Sequence, residues 1–158
     1  MRFFTREWCS GDLHDEDAER VPELYAEHLR GLRDRLPPRV LSFAEEINLH
    51  DGLLREVVLD EAARTLRVRI RAGDQQVGYY DADLLYLDVA VGPRTVHILE
   101  KMRRDARYEL LYDELDADES RQVVHRLMFW PEDEVEIRFR DLSWRRTPQD
   151  DRSEQGAV

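Results

Sequence analysis

Cysteine is almost missing from this sequence: Cys9 is the single one, so no disulfide can form within the chain. A chain of this kind is expected in a reducing compartment. Long apolar runs are missing too, because no segment approaches the roughly 20 residues needed to span a bilayer. The first residues also lack the apolar centre of a signal peptide. These absences predict a soluble cytoplasmic protein without a membrane partner.

Lysine is equally scarce, since Lys101 is the only one. The 24 basic residues face 35 acidic ones, which gives a net charge of −11. Binding to duplex nucleic acid requires a basic surface that releases counterions, so the charge argues against such a partner. An acidic surface instead favours encounters with a basic protein. The sequence does not predict an oligomeric state.

The well-marked enzyme motifs are also missing. The sequence contains no phosphate-binding glycine loop, no nucleophile elbow, no paired CxxC and no His-Glu-x-x-His. Their absence removes the enzyme classes that depend on them, while unmarked enzymes stay open. We therefore predict no cofactor, no metal and no catalytic residue from the sequence, and favour binding over catalysis.

The clearest positive signal is a period of two, which is typical of a strand with one buried and one exposed face. It occurs in residues 65–71 and again in residues 134–140. Arginines form the exposed side of the first segment: Arg67, Arg69 and Arg71. Further strand patterns lie between the two segments, separated by turn residues. Together they predict one antiparallel, meander-like sheet of about six strands.

Helical periodicity is confined mainly to the first part of the chain. Apolar residues recur at spacings of three and four between residues 16 and 36, and Pro37 ends the pattern. A second, shorter helix is expected from Pro38. Residues 94–106 fit a helix or an ordered loop, and residues 2–8 fit a short strand. The fold class is therefore α+β, with one or two N-terminal helices packed on the sheet.

The chain length favours one domain, because 158 residues can bury a single core without disulfides. We place this domain at residues 1–146. Residues 147–158 are polar and acidic with almost no apolar side chain, so we expect them to be disordered.

The most pointed candidate for chemistry is His50 beside Asp51, at the junction of the helices and the sheet. A histidine next to carboxylates can act as a general base or as a metal ligand. Asp81, Asp83 and His125 would complete such a site if the sheet brought them close. The alternative is an ordinary turn, because Asp51 precedes a glycine. The turn is the preferred interpretation.

Two further groups are candidates for binding. Asp113 and Glu114 begin an acidic group that continues through Asp116, Asp118 and Glu119, which could hold a cation or form a solvated turn. The turn is again preferred. A second group is aromatic and could anchor a protein interface or fill the core: Tyr79, Tyr80, Tyr86 and Trp130. Core packing is preferred there, and Cys9 is interpreted as an ordinary free thiol.

The opening residues Met1-Arg2-Phe3-Phe4-Thr5-Arg6-Glu7-Trp8 resemble a bacterial family of unknown function whose members begin M-x-[YF]-F-T-x-E-W. The order of LHDG at residues 49–52 before a strand pair, with EIxFxDL at residues 136–142, also looks like small immunity-type domains. Such domains neutralise a toxin by binding it, and neither resemblance supplies catalytic residues.

These observations lead to one functional expectation with one alternative. We expect a non-catalytic protein-binding domain, of immunity type, whose acidic surface binds a basic partner. The binding residues proposed from the sequence are His50, Asp51, Tyr80, Asp81, Asp113 and Glu114. The alternative is a small hydrolase-like or metal-dependent enzyme with its site near His50, Asp51 and Asp81.

Overall fold

A computed structural model describes residues 1–105, 107–120 and 122–152 of the chain. This part contains four helices and seven strands. In chain order they are α1 Arg6–Ser10, α2 Asp15–Gly31, α3 Pro38–Glu46, β1 Leu53–Asp60, β2 Thr65–Asp74, β3 Gly78–Leu87, α4 Pro93–Arg103, β4 Glu109–Ala117, β5 Val123–Trp130, β6 Glu134–Phe139 and β7 Asp141–Gln149. The fold class is α+β, as the sequence predicted.

The seven strands form two antiparallel sheets, so the predicted antiparallel pairing is confirmed but the single sheet of about six strands is not. One sheet has the order β1-β2-β3-β7 and the other the order β4-β5-β6. The chain enters the second sheet through α4 and returns to the first at Arg140, whose N–H donates to Leu87 O at 3.0 Å. Single bridges connect the sheets at Gly52 with Leu110 and at Ala90 with Arg138. One core of buried side chains contains residues from both sheets.

The alternation in β2 is the prediction that fits best. Leu66, Val68 and Ile70 are fully buried, while Arg67 is exposed. Arg71 is the exception, because its side chain is buried although its position should face solvent. A guanidinium can be buried when a carboxylate pairs with it, and Asp81 on β3 does so.

The strands of both sheets continue past their most polar positions. β3 runs without interruption through Asp81, because β2 and β7 pair with it on its two sides. The segment 134–140, predicted as a strand, forms β6 as far as Phe139, and β7 follows the bend at Arg140. β5 is the central strand of its sheet and is buried on both faces except at Arg126 and Trp130.

The helices contribute unequally to the core. α3 begins at Pro38 as predicted, packs against β7, and buries Val40 and Phe43. α2 ends at Gly31 rather than near residue 36, and none of its residues is fully buried. The expected contact between the long helix and the sheet is therefore made largely by Leu32 and Leu36 in the turn that follows.

Two helices were not assigned from the sequence. Residues 2–8 were expected to form a strand, but α1 begins at Arg6, where the Thr5 hydroxyl caps the helix by accepting from the Trp8 N–H. Residues 94–106 were left open between helix and loop. α4 occupies most of that segment and buries Ile98, Leu99 and Met102.

The C-terminal segment makes specific contacts as far as residue 152. β7 continues to Gln149, three residues beyond the predicted domain boundary, and pairs with β3. Arg152 donates to Asp51 O at 2.8 Å and to Glu109 at 2.7 Å. The rest of the predicted disordered tail, residues 153–158, lies outside the described residues. No helix in the described part of the chain is long and apolar enough to cross a membrane.

Candidate functional site

The N-terminal segment is held against β4 by one buried carboxylate. Glu114 is 1% exposed and accepts the backbone N–H groups of Arg2, Phe3 and Phe4 at 2.8, 2.6 and 2.7 Å. Arg6 adds hydrogen bonds to the carbonyls of Phe129, Pro131 and Asp133. Charge-assisted bonds to backbone N–H groups are strong, so Glu114 fixes where the first aromatic residues lie.

Those aromatic residues join side chains from α2 and β4 in one cluster. The ring of Phe4 lies 5.1 Å from each of the rings of Trp8, Tyr25 and Tyr112, measured between centroids. Trp8 and Tyr112 also meet edge to face at 4.9 Å. Such ring pairs contribute about 0.5–1.5 kcal/mol each beyond their buried area. This cluster therefore connects three segments that are far apart in sequence.

The polar ends of these rings already have partners in the backbone. The Tyr25 hydroxyl accepts from the Leu115 N–H at 2.8 Å, and the Trp8 indole N–H donates to Ala18 O at 2.9 Å. Burial raises the pKa of Tyr25 well above its usual range, with the Asp113 charge as the next cause. Burial therefore favours the neutral form of the Tyr25 hydroxyl.

A hydrogen-bonded chain runs from the core to this cluster. His125 is fully buried on β5; its Nε2 lies 3.0 Å from Asp113 Oδ2 and its Nδ1 lies 2.9 Å from the Tyr86 hydroxyl. A carboxylate can only accept, so Nε2 donates to Asp113, and a neutral ring then accepts at Nδ1 from Tyr86. Burial raises the pKa of Tyr86, which keeps its proton for this bond.

Asp113 is the member of this chain that reaches the surface. Its side chain is 22% exposed, and Oδ1 has no hydrogen-bond donor among the described residues. One carboxylate oxygen is therefore fixed by His125, while the other is available to a ligand. A carboxylate held in this way needs little reorganisation to accept a new bond.

Asp113 and the aromatic cluster line a cavity of about 460 Å³, which we call the aromatic cavity. The N-terminal segment, α2, the end of α3 and β4 surround it. Its lining residues are Phe4, Trp8, Pro22, Tyr25, Leu29, Ala44, Glu45, Glu46, Ile47, Asn48, His50, Tyr112, Asp113 and Leu115. The volume is within the range of small-ligand sites, and the lining combines apolar walls with a few carboxylates.

Residues 49–52 form the turn that the sequence favoured. The Gly52 N–H donates to Leu49 O at 3.0 Å, and Asp51 has a φ of 56°, in the left-handed region. His50 Nδ1 lies 2.5 Å from Leu111 O, and the His50 ring stacks on Tyr112 at 4.6 Å. His50 Nε2 lies 3.5 Å from Asp51 Oδ2. His50 thus lines the aromatic cavity as well as forming part of the turn.

The enzyme site considered from the sequence would require Asp81 beside His50 and Asp51. The structure instead pairs Asp81 with Arg71 through two hydrogen bonds, of 2.6 and 3.2 Å. Tyr80, the residue before Asp81, does lie near His50 and Asp51, because all three line a cavity of about 70 Å³. The Tyr80 hydroxyl donates to Asn48 O, and Arg146 lies 4.0 Å above its ring.

The acidic group was expected in a turn, but its first three members lie in β4. They therefore alternate between faces: Glu114 points to the N-terminal segment, and Asp113 to His125. Asp116 pairs with Arg126 at 3.3 Å. Only Asp118 and Glu119 occupy the turn, where Asp118 accepts from Ser120 and Gln122. Hydrogen bonds from that turn lower the pKa of Asp118.

The remaining aromatic candidates differ in how deeply they are buried. Tyr80 and Tyr86 are buried, as the preferred interpretation predicted, while Trp130 is 58% exposed. Trp130 lines a second cavity, of about 570 Å³, together with Cys9. Cys9 is a free thiol, and burial raises its pKa, which disfavours the reactive thiolate.

The combination of Asp113 with the aromatic cluster was not predicted from the sequence. No local pattern connects Phe4, Tyr25 and Tyr112. The one available signal was that the aromatic residue Tyr112 directly precedes Asp113. Within the described residues, no group of three or more histidine, cysteine, aspartate or glutamate side chains is arranged to hold a metal ion.

Comparison with known proteins found no relative of this chain. No protein-family model matches the sequence, and no curated protein matches it either. The resemblance of the first eight residues to a bacterial family therefore stays a prediction.

Proposed function

We propose that this chain is a non-catalytic binding domain that uses an acidic surface to bind a basic protein partner. The observation that carries the proposal is the charge of α2, which borders the aromatic cavity through Pro22, Tyr25 and Leu29. Six exposed carboxylates lie on this helix: Asp15, Glu16, Asp17, Glu19, Glu23 and Glu27.

These carboxylates outnumber the basic residues of α2, which are Arg20, His28 and Arg30. Among the described residues, none of the six is within ion-pair distance of an arginine, lysine or histidine. Elsewhere, acids such as Asp81 and Asp83 are paired with arginines. An excess of charge of one sign produces a field that speeds and orients encounters with an oppositely charged protein.

The position of the charges strengthens the argument. Glu19 precedes Pro22 by three residues, so the two are neighbours on the helix surface at the margin of the cavity. An exposed acidic margin around an apolar recess resembles the arrangement of binding interfaces, in which a polar rim surrounds a buried anchor site. The likeness to immunity-type domains makes a toxin-type protein the first partner to test.

The alternative is a small enzyme with its site at His50, Asp51 and Asp81. Two features disfavour it: Asp81 is engaged by Arg71, and the cavity shared by His50 and Asp51 is only about 70 Å³. Most small-ligand sites are larger than about 300 Å³. A defined turnover that disappears when His50 and Asp51 are replaced by alanine would support the enzyme instead.

The experiment is a pull-down from extract of the native cells at low and high salt, followed by reconstitution with the purified partner. The test variant combines Glu19→Gln, Glu23→Gln and Glu27→Gln. The control removes the same charge from three exposed turn residues that have no ion-pair partner among the described residues: Glu61→Gln, Glu119→Gln and Glu132→Gln. We expect a basic partner whose binding weakens with salt and weakens at least tenfold more in the α2 variant than in the control. Equal binding by both variants would contradict the proposal.

A further inference from the structure

We infer that the aromatic cavity binds an arginine side chain of the basic partner, with Asp113 Oδ1 accepting from its guanidinium. This inference rests on the proposed function and adds the chemical group that the site recognises. Its foundation is the composition of the cavity wall: four aromatic rings, three carboxylates and one amide, with no arginine or lysine among its lining residues.

The three carboxylates of the cavity differ in whether they are free to bind a ligand. Glu45 is paired with Arg33 at 2.8 Å, outside the cavity. Glu46 has no ion-pair or hydrogen-bond partner among the described residues, and Asp113 keeps Oδ1 free. Two negatively charged carboxylates therefore line a space to which the described part of the chain contributes no arginine or lysine. Among the described lining residues, His50 is the one basic group, and its Nδ1 is occupied by Leu111 O.

The aromatic rings favour the same class of ligand. The Tyr25 hydroxyl and the Trp8 N–H are both used by the backbone, so these rings offer π surface rather than polar groups. Cations are attracted to aromatic rings, and arginine makes such contacts most often. The chain itself contains such a contact, because Arg146 lies 4.0 Å above the ring of Tyr80.

Arginine fits the cavity better than lysine for two reasons. A planar guanidinium can stack on a ring while its edge donates to a carboxylate, whereas an ammonium group makes only point contacts. The guanidinium is also less strongly hydrated, so it loses less when it enters a recess with apolar walls. A volume of about 460 Å³ leaves room for the residues that flank such a side chain.

His125 has a defined part in this recognition. Its bond to Asp113 Oδ2, supported from behind by Tyr86, keeps the carboxylate in the cavity wall. His125 is therefore a positioning residue, since it is fully buried and does not reach the ligand.

The test uses the full chain and three capped tripeptides that differ only at the central residue: arginine, lysine or citrulline. Citrulline has the shape of arginine without its charge. We expect saturable binding of the arginine peptide by calorimetry, binding at least threefold weaker for lysine, and no saturable binding of citrulline. Asp113→Asn should weaken arginine binding about tenfold or more, because a charged hydrogen bond is lost. Glu46→Gln should weaken it two- to threefold.

Controls separate folding from recognition. Glu46 is exposed, so Glu46→Gln tests the cavity without risk to the core. Glu61→Gln, at a turn that does not line the cavity, should leave the affinity unchanged. Equal affinity for arginine and citrulline, or arginine binding that is unaffected by both cavity variants, would overturn the inference.

The outcomes also separate this inference from the proposed function. Capture of a basic partner that depends on the α2 carboxylates, combined with no binding of the arginine peptide, would overturn the arginine site and leave the binding function. Specific binding of the arginine peptide without any basic protein partner would support the site and contradict the partner proposal.

Discussion

Asp113 Oδ2 lies 3.0 Å from His125 Nε2, and this contact connects the wall of the aromatic cavity to the centre of the core. His125 and Tyr86 are both completely buried behind it. Buried polar groups are stable only when their hydrogen bonds are satisfied, so the three residues should behave as one unit. A mutation at Tyr86 therefore tests how much this unit contributes to stability.

Tyr86→Phe should destabilise the protein by about 1–3 kcal/mol, because it leaves the buried Nδ1 of His125 without a donor. Urea denaturation measures the change in the free energy of unfolding. Tyr79→Phe is the matched control: this tyrosine, near the other end of β3, is only partly buried, and its hydroxyl has no partner among the described residues. Similar losses of stability in the two variants would show that the hydrogen bond between Tyr86 and His125 contributes nothing specific.

Glu114→Ala should release the N-terminal segment and destabilise the fold by about 2–3 kcal/mol. The reason is that three backbone N–H groups lose the carboxylate that accepts them. Hydrogen exchange at the amides of Phe3 and Phe4 should accelerate strongly. Glu61→Ala, at an exposed turn, should leave both exchange rates unchanged. Protection of these amides in Glu114→Ala would show that other contacts hold the segment.

Asp83 predicts a dependence of stability on pH. Burial raises the pKa of Asp83, but hydrogen bonds from Arg69 and Arg145 outweigh it, so the net shift is downward from 3.8. The unfolded chain then binds the proton more readily, and the stabilisation is present above the unfolded pKa and lost as pH falls through the native one. Asp83→Asn should cost about 1 kcal/mol near pH 7. The difference from the parent protein should shrink toward pH 3; a constant difference would contradict the assigned ion pairs.

The contacts of residues 150–152 predict that truncation beyond β7 has a cost. Arg71 donates to Asp151 O at 2.9 Å, and Arg55 donates to Arg152 O at 2.6 Å. A chain that ends at Gln149 should be about 1–3 kcal/mol less stable than one that ends at Arg152. Comparing these two chains in thermal unfolding isolates the three residues. Equal melting temperatures would show that the contacts contribute nothing.

The sequence predicted the parts of the fold that depend on local periodicity. Leu66, Val68 and Ile70 occupy every second position, and this pattern alone places them on a buried face. Arg71 departs from the pattern because Asp81, on the next strand, compensates its charge. A pairing across strands depends on register, which one strand's sequence does not contain.

The second sheet and the aromatic cavity could not be predicted in the same way. The chain enters the second sheet through α4 and returns to the first at Arg140, where no glycine or proline marks the change. The acidic residues from Asp113 onward were expected in a turn, because charged side chains normally face solvent. Glu114 is nevertheless buried, and backbone N–H groups donate to its carboxylate. Phe4, Tyr25 and Tyr112 meet only through tertiary packing, so no spacing in the sequence reveals their cluster.

Backbone amide chemical shifts recorded during titration with the capped arginine peptide locate its binding site on the protein. We expect saturable shifts at residues that line the aromatic cavity, with Asn48, Tyr112 and Asp113 among the largest, and none with the citrulline peptide. Shifts confined to other surfaces, such as the exposed face around Arg67 and Arg145, would contradict this expectation, as would identical shifts from both peptides.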